Sequence, residues 1–214
     1  MNYLPLIIGW FLGIISSLIV DKIRQHSEKK KIKKGIITEL KDNQLLLSSI
    51  CYSTTADYGE FNTDFLTWWK PYYTRLIGSG DFDYLSRNKS LFDKLFEINE
   101  KELATYINVL RTNANPKPSN IFKEIDTPYI DSKISAISFF NEEYQSNLFK
   151  IKREINFINH YANQIWYFFT KTFDNPGQEN LAIINTNLNG MYSNIAKRSK
   201  GTVELIEKFI NKQS

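Results

Sequence analysis

At 214 residues and 25.1 kDa, with nine Gly, six Pro and 14% aromatic residues, the chain has room for one ordinary domain plus an appendage; collagen-like and wholly disordered classes are excluded. A single cysteine, Cys51, excludes an internal disulfide framework or a Cys-rich zinc site, and two histidines, His26 and His160, are too few for a multi-His metal centre. The net charge of +4 is local: residues 21–34 hold seven basic and two acidic side chains, and the other 20 basic and 21 acidic residues nearly cancel, which disfavours nucleic acid as a partner.

The first element is the uncharged, mostly apolar run from Tyr3 to Val20, close to the length that spans a bilayer as a helix. Pro5 suits its first turn. A cleaved signal peptide needs positive charge before the apolar run, and here the order is reversed. Residues 1–20 are therefore expected to be a transmembrane anchor and 21–34 a basic juxtamembrane segment. Residues 35–214 are expected to form a cytoplasmic helical domain, with the N-terminus outside by the positive-inside rule. A free Cys51 fits that reducing compartment. The cations Lys22, Arg24, Lys29, Lys30, Lys31, Lys33 and Lys34 are expected to lie against anionic head groups. Gly9, Gly13 and Ser17 fall at i, i+4 and i+8, the spacing through which two membrane helices approach closely.

Beyond the anchor, helical spacing recurs and sustained strand alternation does not occur, so the fold class is all-α. A helix from about Glu28 to Thr54 carries Ile37, Leu40, Leu47 and Cys51 on one side, with Gly35 as a possible kink. Ala56 to Ser90 is expected to be irregular, with the turn Gly78-Ser79-Gly80-Asp81. A third helix is expected from about Lys89 to Arg111, with Phe92, Phe96, Leu103, Tyr106 and Leu110 in register. Asn113 to Pro128 is a loop, because Pro116 and Pro118 forbid a helix interior. Thr127-Pro128 then supplies an N-cap and an N1 proline. From Tyr144 the apolar residues Leu148, Ile151, Ile155, Ile158, Ala162, Ile165 and Phe169 step by alternating fours and threes. Asp174-Asn175-Pro176-Gly177 breaks the chain, and Leu181, Ile184, Leu188, Met191 and Ile195 resume the steps. The same register runs on to Phe209, with Arg198, Gly201 and Thr202 as a weak point. Two heptad seams joined by a short turn predict a long antiparallel hairpin over about 129–211. Unbroken, its first arm of about 43 residues would reach roughly 60 Å.

No phosphate loop, H-E-x-x-H, paired-Cys or G-x-S-x-G motif occurs, and no cofactor or metal is expected. Arg153 and His160, spaced RxxxxxxH, resemble the R-x4-6-H motif of HEPN ribonucleases. That resemblance implies a general acid or base at His160 and a phosphate-holding Arg153. Glu154, directly after the Arg, opposes phosphate, and both residues fall on the back of the heptad seam. Trp68, Trp69, Tyr72 and Tyr73 are expected to be core, and Asn43 a buried register-setting polar residue.

The anchor, the basic stretch and the motif Glu39-Leu40-Lys41-Asp42-Asn43 together resemble small bacterial single-pass proteins with helical cytoplasmic domains, some from phage-defence or stress loci. The motif part of this resemblance covers about the first 50 residues. It implies a bacterial inner-membrane location and names no catalytic residue. The expected function is a non-enzymatic, membrane-anchored helical module that self-associates as a homo-oligomer, recruits a cytosolic protein, or does both. The alternatives are the ribonuclease and a pore-forming effector.

Overall fold

The structure, a computed structural model, describes residues 4–80, 83–113, 122–174 and 177–213. The side chains at 4–9, 11–15, 17–18, 83, 110 and 113 lie outside that description. The described elements are all helical: α1 (Leu4–Tyr58), α2 (Thr63–Ser79), α3 (Asp83–Arg87), α4 (Lys89–Leu95), α5 (Glu100–Asn113), α6 (Pro128–Ser132), a 3-10 helix (Ile134–Phe139), α7 (Glu142–Lys171) and α8 (Gln178–Asn211).

The transmembrane part of the expected fold class is corrected. Among the described residues, no helix is long and apolar enough to cross a membrane. The apolar run is the opening of a 55-residue helix, and its stretch from Leu4 to Val20 stops short of the about 20 residues that a span needs. From Asp21 onward α1 is densely charged and exposed as far as Lys31.

The chain divides into two compact units, Met1–Glu39 with Thr127–Ser146 and Leu40–Asp126 with Asn147–Ser214. In the first, Ile32, Ile36, Ile130, Ile137, Phe140 and Tyr144 are buried. α1 runs through Gly35 without interruption. The missing side chain of Gly35 admits the ring of Tyr129: a Cβ there would lie 2.2 Å from Tyr129 Cζ. Thr127 does not cap α6 with its hydroxyl, which donates instead to Asp131 Oδ2 at 3.0 Å. The cap comes from Glu39, whose carboxylate accepts the N–H groups of Tyr129 at 2.7 Å and Ile130 at 2.9 Å. A carboxylate bridging two orphan donors is a charge-assisted substitute for an N-cap side chain.

The first arm of the hairpin is not one helix. Phe140 is extended, and Asn141 starts a new helix by accepting the N–H of Tyr144 at 2.9 Å. Asn141-Glu142-Glu143 is thus a helix start, an N-cap followed by acids in the first turn.

In the second unit the core gathers Leu40, Leu47, Cys51, Trp69, Leu76, Leu148, Ile155, Ile195, Val203 and Ile206. The stretch expected to be irregular contains α2. Asn62 caps it by accepting the Phe65 N–H at 2.8 Å, and Gly80 closes it in the left-handed conformation at φ 77°. Pro71 is tolerated inside α2 because it sits on the exposed side, where the freed carbonyl faces solvent. The expected third helix is two, α4 and α5, because Asn99 accepts the Glu102 N–H at 3.0 Å and opens a second helix. Of its expected register, Leu110 lies outside the described side chains, and residues 114–121 of the loop lie outside the described residues. Arg111 closes the end of α1, donating to the carbonyls of Ala56 at 3.1 Å and Gly59 at 2.5 Å.

Candidate functional site

The heptad steps of α7 are real packing: Leu148, Ile151, Ile155, Ile158, Ala162 and Ile165 are all buried. In α8 the buried positions are Tyr192, Ile195, Ala196, Ser199, Thr202, Val203, Ile206 and Phe209. Their steps of three and one form a stripe broader than a single seam, because this half meets several helices. Gln44 Nε2 donates to the Val203 carbonyl at 3.3 Å, Cys51 Sγ to the Ala196 carbonyl at 3.5 Å, and Tyr72 OH to Glu207 at 2.9 Å. The expected weak point is a tied one. Arg198 pairs with Glu154 at 2.6 Å and lies over the Phe157 ring at 4.6 Å, while Thr202 is buried.

The other half of α8 differs. From Gln178 to Met191 no residue is buried, although Leu181, Ile184, Leu188 and Met191 carry the seam. On the adjoining part of α7, Trp166 is 52% exposed, Tyr167 56%, and Phe173 in the turn 73%; Ile183 on α8 is 55% exposed. Trp166, Phe169 and Phe173 form a ladder, with successive ring centroids 6.2 and 5.1 Å apart. The end of the hairpin is therefore an arm whose apolar residues are only partly covered. Isolated exposed apolar side chains need no explanation, but a contiguous group of them does.

The arm is almost uncharged. Between Tyr161 and Gly190 the charged residues are Lys171, Asp174 and Glu179, and Lys171 pairs with Asp174 at 2.8 Å. Its polar positions are chiefly Asn, Gln and Thr. Asn175 and Pro176 of the turn lie outside the described residues.

The other sequence-derived candidates are placed as follows. Arg153 and His160 are both exposed on α7, about 10 Å apart along its axis. Among the described residues no contact joins them, and Glu154 is engaged by Arg198. Gly9, Gly13 and Ser17 lie in α1 at positions outside the described side chains. Lys22, Arg24, Lys29, Lys30, Lys31 and Lys34 are exposed on α1, and Lys33 is half-buried. Asn43 is buried and donates to the Asp126 carbonyl at 3.2 Å. Trp69, Tyr72 and Tyr73 are core: Trp69 stacks on Tyr52 at 4.1 Å and donates Nε1–H to the Ser48 carbonyl at 3.1 Å. Burial pushes the Cys51 thiol up to about 12, which keeps it protonated and unreactive at neutral pH. No group of three or more His, Cys, Asp or Glu among the described residues is placed to hold a metal ion.

No family model, no curated protein and no solved structure matches this chain.

Proposed function

We propose that the chain is a non-enzymatic helical module that associates with a second copy of itself through the exposed arm of α7 and α8. The observation that carries this reading is the seam of α8, which continues to Leu181 although nothing before Tyr192 is buried. An a/d seam facing one helix only is half of a packing arrangement, and a second hairpin completes it as a four-helix bundle. Charge favours a copy over a different protein. An arm with three charged residues in thirty, two of them paired, neither repels its twin nor selects an oppositely charged partner.

Size sets the strength. Fourteen residues of α8 give a face about 20 Å long and about 20 Å across two helices, or roughly 400 Å² per copy. The total of roughly 800 Å² lies at the low end for specific interfaces, so the association is weak, on the order of micromolar.

Sedimentation equilibrium of the full chain from about 1 to 100 μM tests it. The expected result is a concentration-dependent dimer that Trp166→Glu with Ile183→Glu shifts to monomer, with helical content unchanged because both sites are exposed. A monomer at every concentration overturns the reading, and a dimer indifferent to both changes removes the arm from it.

A further inference from the structure

A second surface lies in the first unit. α1 and the 3-10 helix enclose an open groove of about 770 Å³ lined by Lys22, Ile23, His26, Lys29, Lys30 and Phe139, among others. Lys22, His26 and Lys29 recur at i, i+4 and i+7, one stripe of the helix. Asp21 and Glu28, the two acids of the basic block, lie about 100° around the helix from that stripe and do not line the groove. Phe139 comes from a distant part of the sequence and is 59% exposed beside the cations, with Ile134 also exposed on the same 3-10 helix. Ile19, Val20 and Ile23 add exposed apolar surface along α1. The Lys29 ammonium lies 5.2 Å from the ring centre of Phe140, which is buried, so this cation is held at the mouth of the groove.

We infer that this face docks on an anionic phospholipid surface, with the cations at the phosphate level and Phe139 entering the interface. The two features together select that occupant. A nucleic acid meets the cations but offers no continuous apolar layer for Phe139 and Ile23, and an acidic protein segment would have to supply a matching apolar face of its own. A lipid interface meets both needs, since cations are drawn by the surface potential and apolar side chains sink past the head groups. The docking is peripheral and needs no span, and it is independent of the pairing of the α7–α8 arm.

Vesicle co-sedimentation of the full chain tests it, comparing phosphatidylcholine with phosphatidylglycerol-containing vesicles, so that any purely apolar partitioning cancels. The expected result is tighter binding to anionic vesicles, weakened at high salt and lowered roughly tenfold or more by Lys29→Glu with Lys30→Glu. Phe139→Ala is expected to weaken binding several-fold at constant charge, a change that a purely ionic contact would not show. Equal partitioning to the two compositions overturns the inference. So does tight binding of a duplex oligonucleotide that Lys29→Glu with Lys30→Glu abolishes while Phe139→Ala leaves it unchanged, since the face would then belong to nucleic acid.

Discussion

Gly35→Ala sets two effects of known size against each other. Alanine is favoured over glycine in a helix interior by about 1 kcal/mol, and Gly35 lies deep inside α1, so propensity alone predicts stabilisation. The new Cβ, however, would lie 2.2 Å from Tyr129 Cζ and 2.3 Å from Cε1, well inside van der Waals contact. The ring must leave, giving up its place against α1 and the bond from its hydroxyl to the Lys31 carbonyl. Overpacking of this kind costs about 1–3 kcal/mol, so the clash equals or exceeds the propensity gain. In a Tyr129→Ala background nothing opposes the new methyl group, and the same Gly35→Ala change is expected to stabilise by about 1 kcal/mol. The double-mutant cycle should thus show a coupling of about 1–3 kcal/mol and a reversal of sign. Urea unfolding by circular dichroism gives the totals, and hydrogen exchange of the amides around Ile36 shows whether the change is local. Additive effects would refute the argument and return Gly35 to being merely a tolerated glycine.

Glu39→Ala removes the acceptor for two N–H groups and is expected to cost about 1–2 kcal/mol, with faster exchange of the Tyr129 and Ile130 amides. Arg198→Ala and Glu154→Ala should couple by about 1 kcal/mol in a cycle, a partly screened ion pair reinforced by the Phe157 ring. Cys51 should resist a thiol reagent in the native protein at pH 8 and react at once in denaturant, since burial holds its pKa at about 12 against an ordinary 9.0. The thiol is raised in the fold, so its contribution to stability is complete below about pH 9 and is lost as pH climbs towards 12. Burial raises Tyr52, Tyr144 and Tyr192 in the same direction, so alkaline unfolding is expected, and Cys51→Ala should flatten its slope.

Periodicity made the all-helical class and the α7 seam legible, because Leu148 to Ile165 face one way whatever else the fold does. It misplaced the breaks. Phe140-Asn141 and Asn99 end or start helices through asparagine side-chain acceptors, and such caps are easy to pass over inside a longer apolar rhythm. α2 lay inside the stretch read as irregular, and its single Pro71, on the exposed side, removes one bond and not the helix. Hydropathy of residues 1–20 pointed to a span, whereas among the described residues no helix is long and apolar enough to cross a membrane. The basic stripe and Phe139 could not have been joined from sequence, because the groove they line brings together residues more than a hundred positions apart. Glu39 lay within a recognisable motif, yet its partners are backbone N–H groups, which carry no side-chain signature.

Hydrogen exchange of the α8 amides at low and high protein concentration probes the proposed pairing at the residues concerned. Pairing of the arms predicts that amides of residues 178–191 gain protection as concentration rises through the micromolar range, while those of 192–209, whose apolar stripe is already buried within the chain, do not change. Protection of 178–191 that is independent of concentration would contradict it and leave the arm unpaired.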